Sequence, residues 1–220
     1  AISNHLKTSL ENIYEKYVVA KEYIPDAVQS ASRALRNKAL FFLAYQDGGE
    51  LAKLQVQEAL NMTDQLSAFS TLIKHNPTSE SINFFYNQWK HERLVIDKWF
   101  SAQVIMAHPN YLNKVVKNLT NHRDFSLKTP NRIRSVLGAF SANTAGFHQE
   151  NGENYELFSD WILKVDPINP QVAARMCSAF ETWKRYDVNR QKLIKMQIDK
   201  ILEANSISKD TKEMLTRLVS

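Results

Sequence analysis

TPNRIRSVLGAFSANTAGFHQENG, running from Thr129 to Gly152, gathers two helix starts, a mid-helix glycine and a dense set of polar side chains into one short span. Thr129 is suited to cap a helix, and Pro130 to fill its first turn, where a missing N–H would go unpaired in any case. Ile133, Val136, Leu137 and Phe140 then recur at helical spacing. Gly138 sits inside that helix at a cost of about 1 kcal/mol relative to alanine, so it is expected to admit close backbone approach by a neighbouring helix or a bound chain. Arg132 and Arg134, two residues apart, point about 200° away from one another around the helix axis. One of the pair should therefore serve packing or solvation and the other a site.

Working outward, the same period recurs. Ile2, Leu6, Leu10, Ile13 and Tyr17 trace the stripe of a first helix, ended by Ile24-Pro25. Asp26 opens a second, with Val28, Ala31, Leu35, Ala39 and Phe42 on one face and Asp47-Gly48-Gly49 at its close. The two make a helical hairpin of about 45 residues, the length of a HEAT-type unit. Helices are predicted from Glu50 to Leu60 and from Thr63 to Lys74, with Asn76-Pro77 as the next break. The aromatic-rich stretch from Ser79 to Ala107 reads as two helices meeting near His91, stopped by His108-Pro109-Asn110. Leu112, Val115, Val116 and Leu119 mark a short helix, and a loop from Asn121 to Lys128 leads back to the central stretch. Downstream, Tyr155 to Val165 is helical, with Leu157 and Trp161 four apart. Asn169 caps a further helix with Pro170 at its first position; Ile194, Ile198, Ile201 and Leu202 mark another between Tyr186 and Ala204, and a last one runs from Ser208 to Leu218. Trp99, Phe140, Leu157 and Trp161 are the expected core anchors. No segment alternates with period two, so the fold class is all-α. Successive helix pairs with short connections predict a HEAT-like α-solenoid, a superhelical stack of antiparallel helix pairs forming a single all-helical domain over residues 1–220.

Composition excludes several classes. No run approaches the ~20 apolar residues that span a bilayer, and AISNHLKTSL lacks a basic and then apolar leader, so the chain is read as cytoplasmic, with no membrane partner. The single Cys177 leaves no internal disulfide framework and no Cys-rich zinc site, and suits a small buried hydrophobe. The 28 Lys and Arg are spread among 23 acids, a solvated surface rather than a nucleic-acid face. His91-Glu92 begins an HExxH pattern, but the fifth position is Val95 and the second zinc ligand is absent. The six histidines show no metal-ligand spacing, and neither a phosphate-cradling glycine loop nor a GxSxG elbow is present. Nothing in this chain is expected to hold a cofactor.

Polar residues remain at two helix beginnings: Asn131, Arg132 and Arg134 in one, Asn169, Gln171 and Arg175 in the other. Helix N-termini offer free N–H donors and arginine a forked donor for carboxylate or carbonyl groups, so the set could bind a peptide. Alternatively, the arginines hold structural ion pairs with acids such as Glu150 or Glu181.

RALRNKAL (Arg33 to Leu40), NMTD (Asn61 to Asp64), LVIDKWF (Leu94 to Phe100), PNRIRSVLGAF (Pro130 to Phe140), NPQVAARM (Asn169 to Met176) and KRYDVNRQ (Lys184 to Gln191), in that order, closely resemble the C-terminal helical domain of the bacterial aminopeptidase N family. Those are zinc-dependent alanyl aminopeptidases of the HExxH class. The resemblance implies that the zinc and the catalytic residues lie in an upstream domain of the same polypeptide. It also implies that this chain is a non-catalytic terminal domain covering the active site and lining the route of peptide substrates, with Arg134 and Arg175 lining the channel beside Asn131 and Arg132 structural. The competing expectation is an autonomous HEAT-like scaffold binding a protein partner along its concave face.

Overall fold

Side-chain caps punctuate the chain. In the computed structural model, which describes residues 2–18 and 22–220, Asp26, Asn61, Thr78, Asn169, Asp187 and Ser208 each precede a helix and accept a hydrogen bond from the backbone N–H three residues on. Each such bond satisfies a donor the helix itself cannot. Among the described residues there is no strand, and the fold is all-α. No helix among them is long and apolar enough to cross a membrane. The chain divides into two compact units, Ala1–Trp99 and Phe100–Ser220. The division falls inside a helix rather than at a linker.

The first unit holds α1 (Ile2–His5), α2 (Lys7–Lys16), α3 (Ala27–Asp47), α4 (Glu50–Glu58), α5 (Met62–His75), α6 (Ser79–Trp89) and the start of α7 (Arg93–Met106). α3 packs on α2, α4 and α5, and α5 on α6, the neighbour-to-neighbour pattern of a solenoid. Gly48 and Gly49 turn α3 into α4 with φ of 67° and 95°, values that side chains resist. The first helix is shorter than its stripe predicts: it breaks at Leu6, which is exposed, and ends at Lys16. Leu10 is buried as expected, while the side chain of Ile2 lies outside the described residues.

The face assigned to α3 is corrected. Val28, Ala31 and Leu35 are exposed while Ala39 is buried as expected, and the inner face is centred on Arg33, Asn37, Leu40, Leu43 and Ala44. Two polar residues belong to it because their partners are built in. Arg33 donates to the Gln29 side chain (2.9 Å) and the Ile24 carbonyl (3.3 Å) and lies over the Tyr23 ring; Asn37 donates to Asp64 Oδ1 (2.7 Å) and accepts from Gln55 (2.8 Å). Buried polar groups so paired cost little, and hydropathy alone does not find them. Trp99 is buried as expected, its indole N–H donating to the Ile82 carbonyl at 3.1 Å.

The second unit continues α7 through a single turn at Pro109–Tyr111 into α8 (Leu112–Thr120), α9 (Pro130–Ile133), a widened π segment (Arg134–Gly138), α10 (Ala139–Ala142), α11 (Thr144–Phe147), α12 (Glu153–Val165), α13 (Pro170–Cys177), α14 (Val188–Leu202) and α15 (Lys209–Val219). Its core is aromatic. Phe147 makes edge-on contacts with Phe140, Tyr155 and Phe158 and lies near Phe180, all fully buried or nearly so. α12 buries Tyr155, Phe158, Ile162 and Val165, whereas Leu157 and Trp161 are half-buried on its flank, one face away from the expected anchors. Their four-residue spacing is helical, but the longer 155, 158, 162, 165 stripe defines the inner face. Asp166, 2% exposed, ties α12 to α15 by accepting from the Ser208 N–H and from the hydroxyls of Ser208 and Thr211.

Candidate functional site

The central helix begins where the sequence places it, by a different device. Thr129 is extended and its carbonyl accepts from the N–H groups of Arg132 (2.9 Å) and Ile133 (3.1 Å), but its hydroxyl makes no capping bond. Pro130 fills the first turn. Four residues on, the helix widens: the Ala139 N–H reaches back five residues to the Arg134 carbonyl, and the Ser135 carbonyl accepts from the Ser101 hydroxyl at 3.1 Å. A π turn accommodates one residue more than an α turn and so re-aims the side chains before it.

The arginine pair divides as its geometry requires. Arg132 is 7% exposed with its guanidinium 4.8 Å from the centre of the Phe100 ring. Arg134 is exposed and donates through Nη2 to Asn131 Oδ1 at 2.5 Å. At the second helix start Asn169 Oδ1 accepts from the Val172 N–H at 3.1 Å, and Arg175 projects to solvent one turn later. Arg134 and Arg175 line one hollow of about 580 Å³, together with Gly138, Ser141, Gln171 and Ser178. Asn131 stands outside the lining and reaches it only through its bond to Arg134.

No carboxylate among the described residues lines this hollow. The alternative of structural ion pairs with acids such as Glu150 or Glu181 is not what forms: Glu150 meets Arg190 at 3.5 Å, and among the described residues neither Arg134 nor Arg175 is ion-paired. Two uncompensated positive charges therefore face one concave, partly apolar space, a setting suited to a carboxylate or to backbone carbonyls. Gly138 does not admit a neighbouring helix. A Cβ there would meet only the Cβ of Arg134, at 3.8 Å. Sequence reading passed over Ser141 and Ser178. Their signal was the spacing, since 134, 138, 141 and 171, 175, 178 are two i, i+4, i+7 stripes.

A wider hollow of about 870 Å³ runs along α14 past Trp183 and Met196, but its charges are largely cross-paired, Lys195 with Asp199 and Lys200 with Asp160. His148 is also committed: its Nδ1 lies 2.8 Å from the Tyr155 hydroxyl and its Nε2 2.8 Å from that of Tyr186, with burial and then the nearby Arg190 lowering its pKa to about 4. Burial pushes the Cys177 thiol up to about 12, the behaviour of an inert core residue. His91 and Glu92 are exposed at the start of α7, and among the described residues no three His, Cys, Asp or Glu side chains cluster to hold a metal. The donor set of the described residues does not fit a zinc ion.

A family described as a domain of unknown function (DUF3458_C) with ARM repeats matches residues 1–220. The chain belongs to this family. ARM repeats are stacked helical units, in keeping with the solenoid packing of α3 to α6. Its relatives include aminopeptidase N of Caulobacter vibrioides, 32% identical over 222 residues, and that of Haemophilus influenzae, 31% identical over 220, each matching 98% of this chain. Aminopeptidase N of Escherichia coli is 35% identical over 205 residues, or 90% of the chain. A solved structure, Legionella pneumophila aminopeptidase A in complex with aspartic acid, superposes with a TM-score of 0.88 at 31% identity over 99% of the chain. The resemblance to the C-terminal domain of aminopeptidase N is thus borne out. The chain spans about a quarter of its curated relatives, 23% to 26% of their length, and 27% of the Legionella chain.

Proposed function

We propose that this DUF3458_C chain is the non-catalytic C-terminal domain of a zinc metallo-aminopeptidase that removes N-terminal amino acids from peptides, and that it covers the active site and lines the route by which peptides reach it. The observation that carries the reading is the hollow shared by Arg134 and Arg175: two exposed guanidinium groups, distant in sequence, with no acid among the described residues that line it. An aminopeptidase must hold its substrate beyond the scissile bond, where the available groups are main-chain carbonyls and, in short peptides, the terminal carboxylate. A guanidinium binds either, and a charged hydrogen bond shielded from water contributes about 1.5 to 3 kcal/mol. The zinc and the residues that act through it belong to the catalytic part of the same polypeptide, outside this chain. The reading places the enzyme in the cytoplasm, and within this chain the lone Cys177 has no second cysteine to pair with.

The test uses the whole enzyme. Arg134→Ala or Arg175→Ala lowers kcat/KM for tri- and tetrapeptides by about tenfold, the effect of losing roughly 1.4 kcal/mol, and leaves a single-residue anilide nearly unchanged. Equal losses on both substrates would assign the arginines to structure alone and favour a helical scaffold that binds a protein partner.

A further inference from the structure

Four of the five glycines have a reason in the fold itself. Gly48, Gly49 and Gly152 hold positive φ, and a Cβ at Gly146 would come within 2.5 Å of Leu112 Cδ2. Gly138 has neither reason. Its φ of −66° and ψ of −41° are ordinary helix, and the one atom near an added Cβ, the Arg134 Cβ at 3.8 Å, is at a comfortable contact distance. Alanine would fit there and would favour the helix, because glycine carries the larger entropy loss on folding. The chain thus keeps the less favourable residue where its own packing asks for nothing.

What Gly138 does border is the hollow. It is exposed, lies one turn after Arg134 and just before Ser141, and leaves the helix backbone bare between those side chains. Across from it the stripe of Gln171, Arg175 and Ser178 supplies the other wall. We infer that Gly138 is a specificity-determining residue for extended peptides: the main chain of a bound peptide lies against the bare helix backbone at Gly138, close enough for its carbonyls or terminal carboxylate to reach Arg134 and Arg175. The inference rests on the peptide-route reading given above and names the surface that sets its width. A methyl group at this position narrows the hollow that Gly138 lines, while its 3.8 Å contact with the Arg134 Cβ leaves that side chain undisturbed. Contact with main chain rather than with a side chain selects peptides by length and extension, not by residue identity.

In the whole enzyme, Gly138→Ala is expected to melt at the same temperature as the parent or slightly higher, while KM rises about threefold or more for tri- and tetrapeptides, with kcat and the single-residue anilide within about twofold. Gly138→Val enlarges the peptide effect. Arg134→Ala, assayed alongside, separates the two levels of the argument. If it weakens long peptides while both Gly138 variants leave KM unmoved, the role of Gly138 is wrong and the peptide route stands. If Arg134→Ala also spares long peptides, the route itself fails and the inference with it. A lowered melting temperature in Gly138→Ala, or equal losses on the anilide, would make the glycine a structural residue and overturn the inference.

Discussion

Asn131 Oδ1 accepts a hydrogen bond from Arg134 Nη2 within one turn of the same helix, so the one side chain tethers the other at the edge of the hollow. The tether lowers the rotamer freedom of a long side chain, which otherwise is lost when a ligand binds. Asn131→Ala is therefore expected to weaken tri- and tetrapeptide binding by the whole enzyme about two- to fivefold, less than Arg134→Ala does, with kcat unchanged. Steady-state kinetics on the paired substrates check it; a loss as large as that of Arg134→Ala would give Asn131 a direct contact of its own.

Phe147 fills the centre of the aromatic cluster, with Phe140, Tyr155, Phe158 and Phe180 around it. Truncating it, or Phe140, to alanine should cost about 3 to 5 kcal/mol, because a rigid aromatic cage collapses poorly into the space left behind. Leu157→Ala, on the half-buried flank of α12, should cost distinctly less. Urea midpoints of the three variants measure the difference.

Asp166 is the latch for the last helix. Its carboxylate takes the Ser208 N–H at 2.7 Å and two hydroxyls besides, that of the buried Thr211 and that of the half-buried Ser208. Asp166→Ala removes one acceptor and strands three donors, an expected loss of about 2 to 4 kcal/mol. Hydrogen exchange should show the loss first over Lys209–Val219, and protection that stays unchanged there would rule out the latch.

His148 gives the stability a pH dependence of known sign. Its folded pKa, about 4, lies below the ordinary 6.5, so between these values the unfolded chain binds the proton that the folded one refuses. Stability is fully present above about pH 6.5 and is lost as the pH falls toward about 4. His75 and His122, lowered by burial, lean the same way. Replacing His148 by Gln should flatten, without abolishing, the fall in denaturation midpoint between pH 7 and 4.5; an unaltered slope would clear His148 of the effect.

Several caps were readable from residues alone: Asp26, Asn169 and Ser208 are short polar side chains ahead of apolar periodicity, whereas Thr129, read in the same way, makes no capping bond through its hydroxyl. The ends of α5 and α7 were readable too, set by Pro77 and Pro109. The buried face of α3 was not readable, because Arg33 and Asn37 become core residues only when Ile24, Asp64 and Gln55 arrive to pair with them. Leu157 and Trp161 misled for the opposite reason, being apolar residues left on a flank by a longer stripe. At the site, the division of labour between Arg132 and Arg134 followed from helix geometry. The pairing of Arg134 with Arg175 came only through the family resemblance, since helix geometry does not say which helices far apart in sequence lie side by side.

The widened turn from Arg134 to Gly138 amounts to a single inserted residue, which fixes how this stretch tolerates gain and loss of chain. Deleting one residue there would restore regular α-helix and rotate everything on its N-terminal side by about 100° relative to Phe140 and the core. Arg134 would leave the hollow, and Arg132 would leave the face of Phe100. Register in this helix is thus held at two ends, by Phe140 in the aromatic core and by Arg132 on Phe100, and the extra residue between them lets one helix satisfy both and still present Arg134 outward.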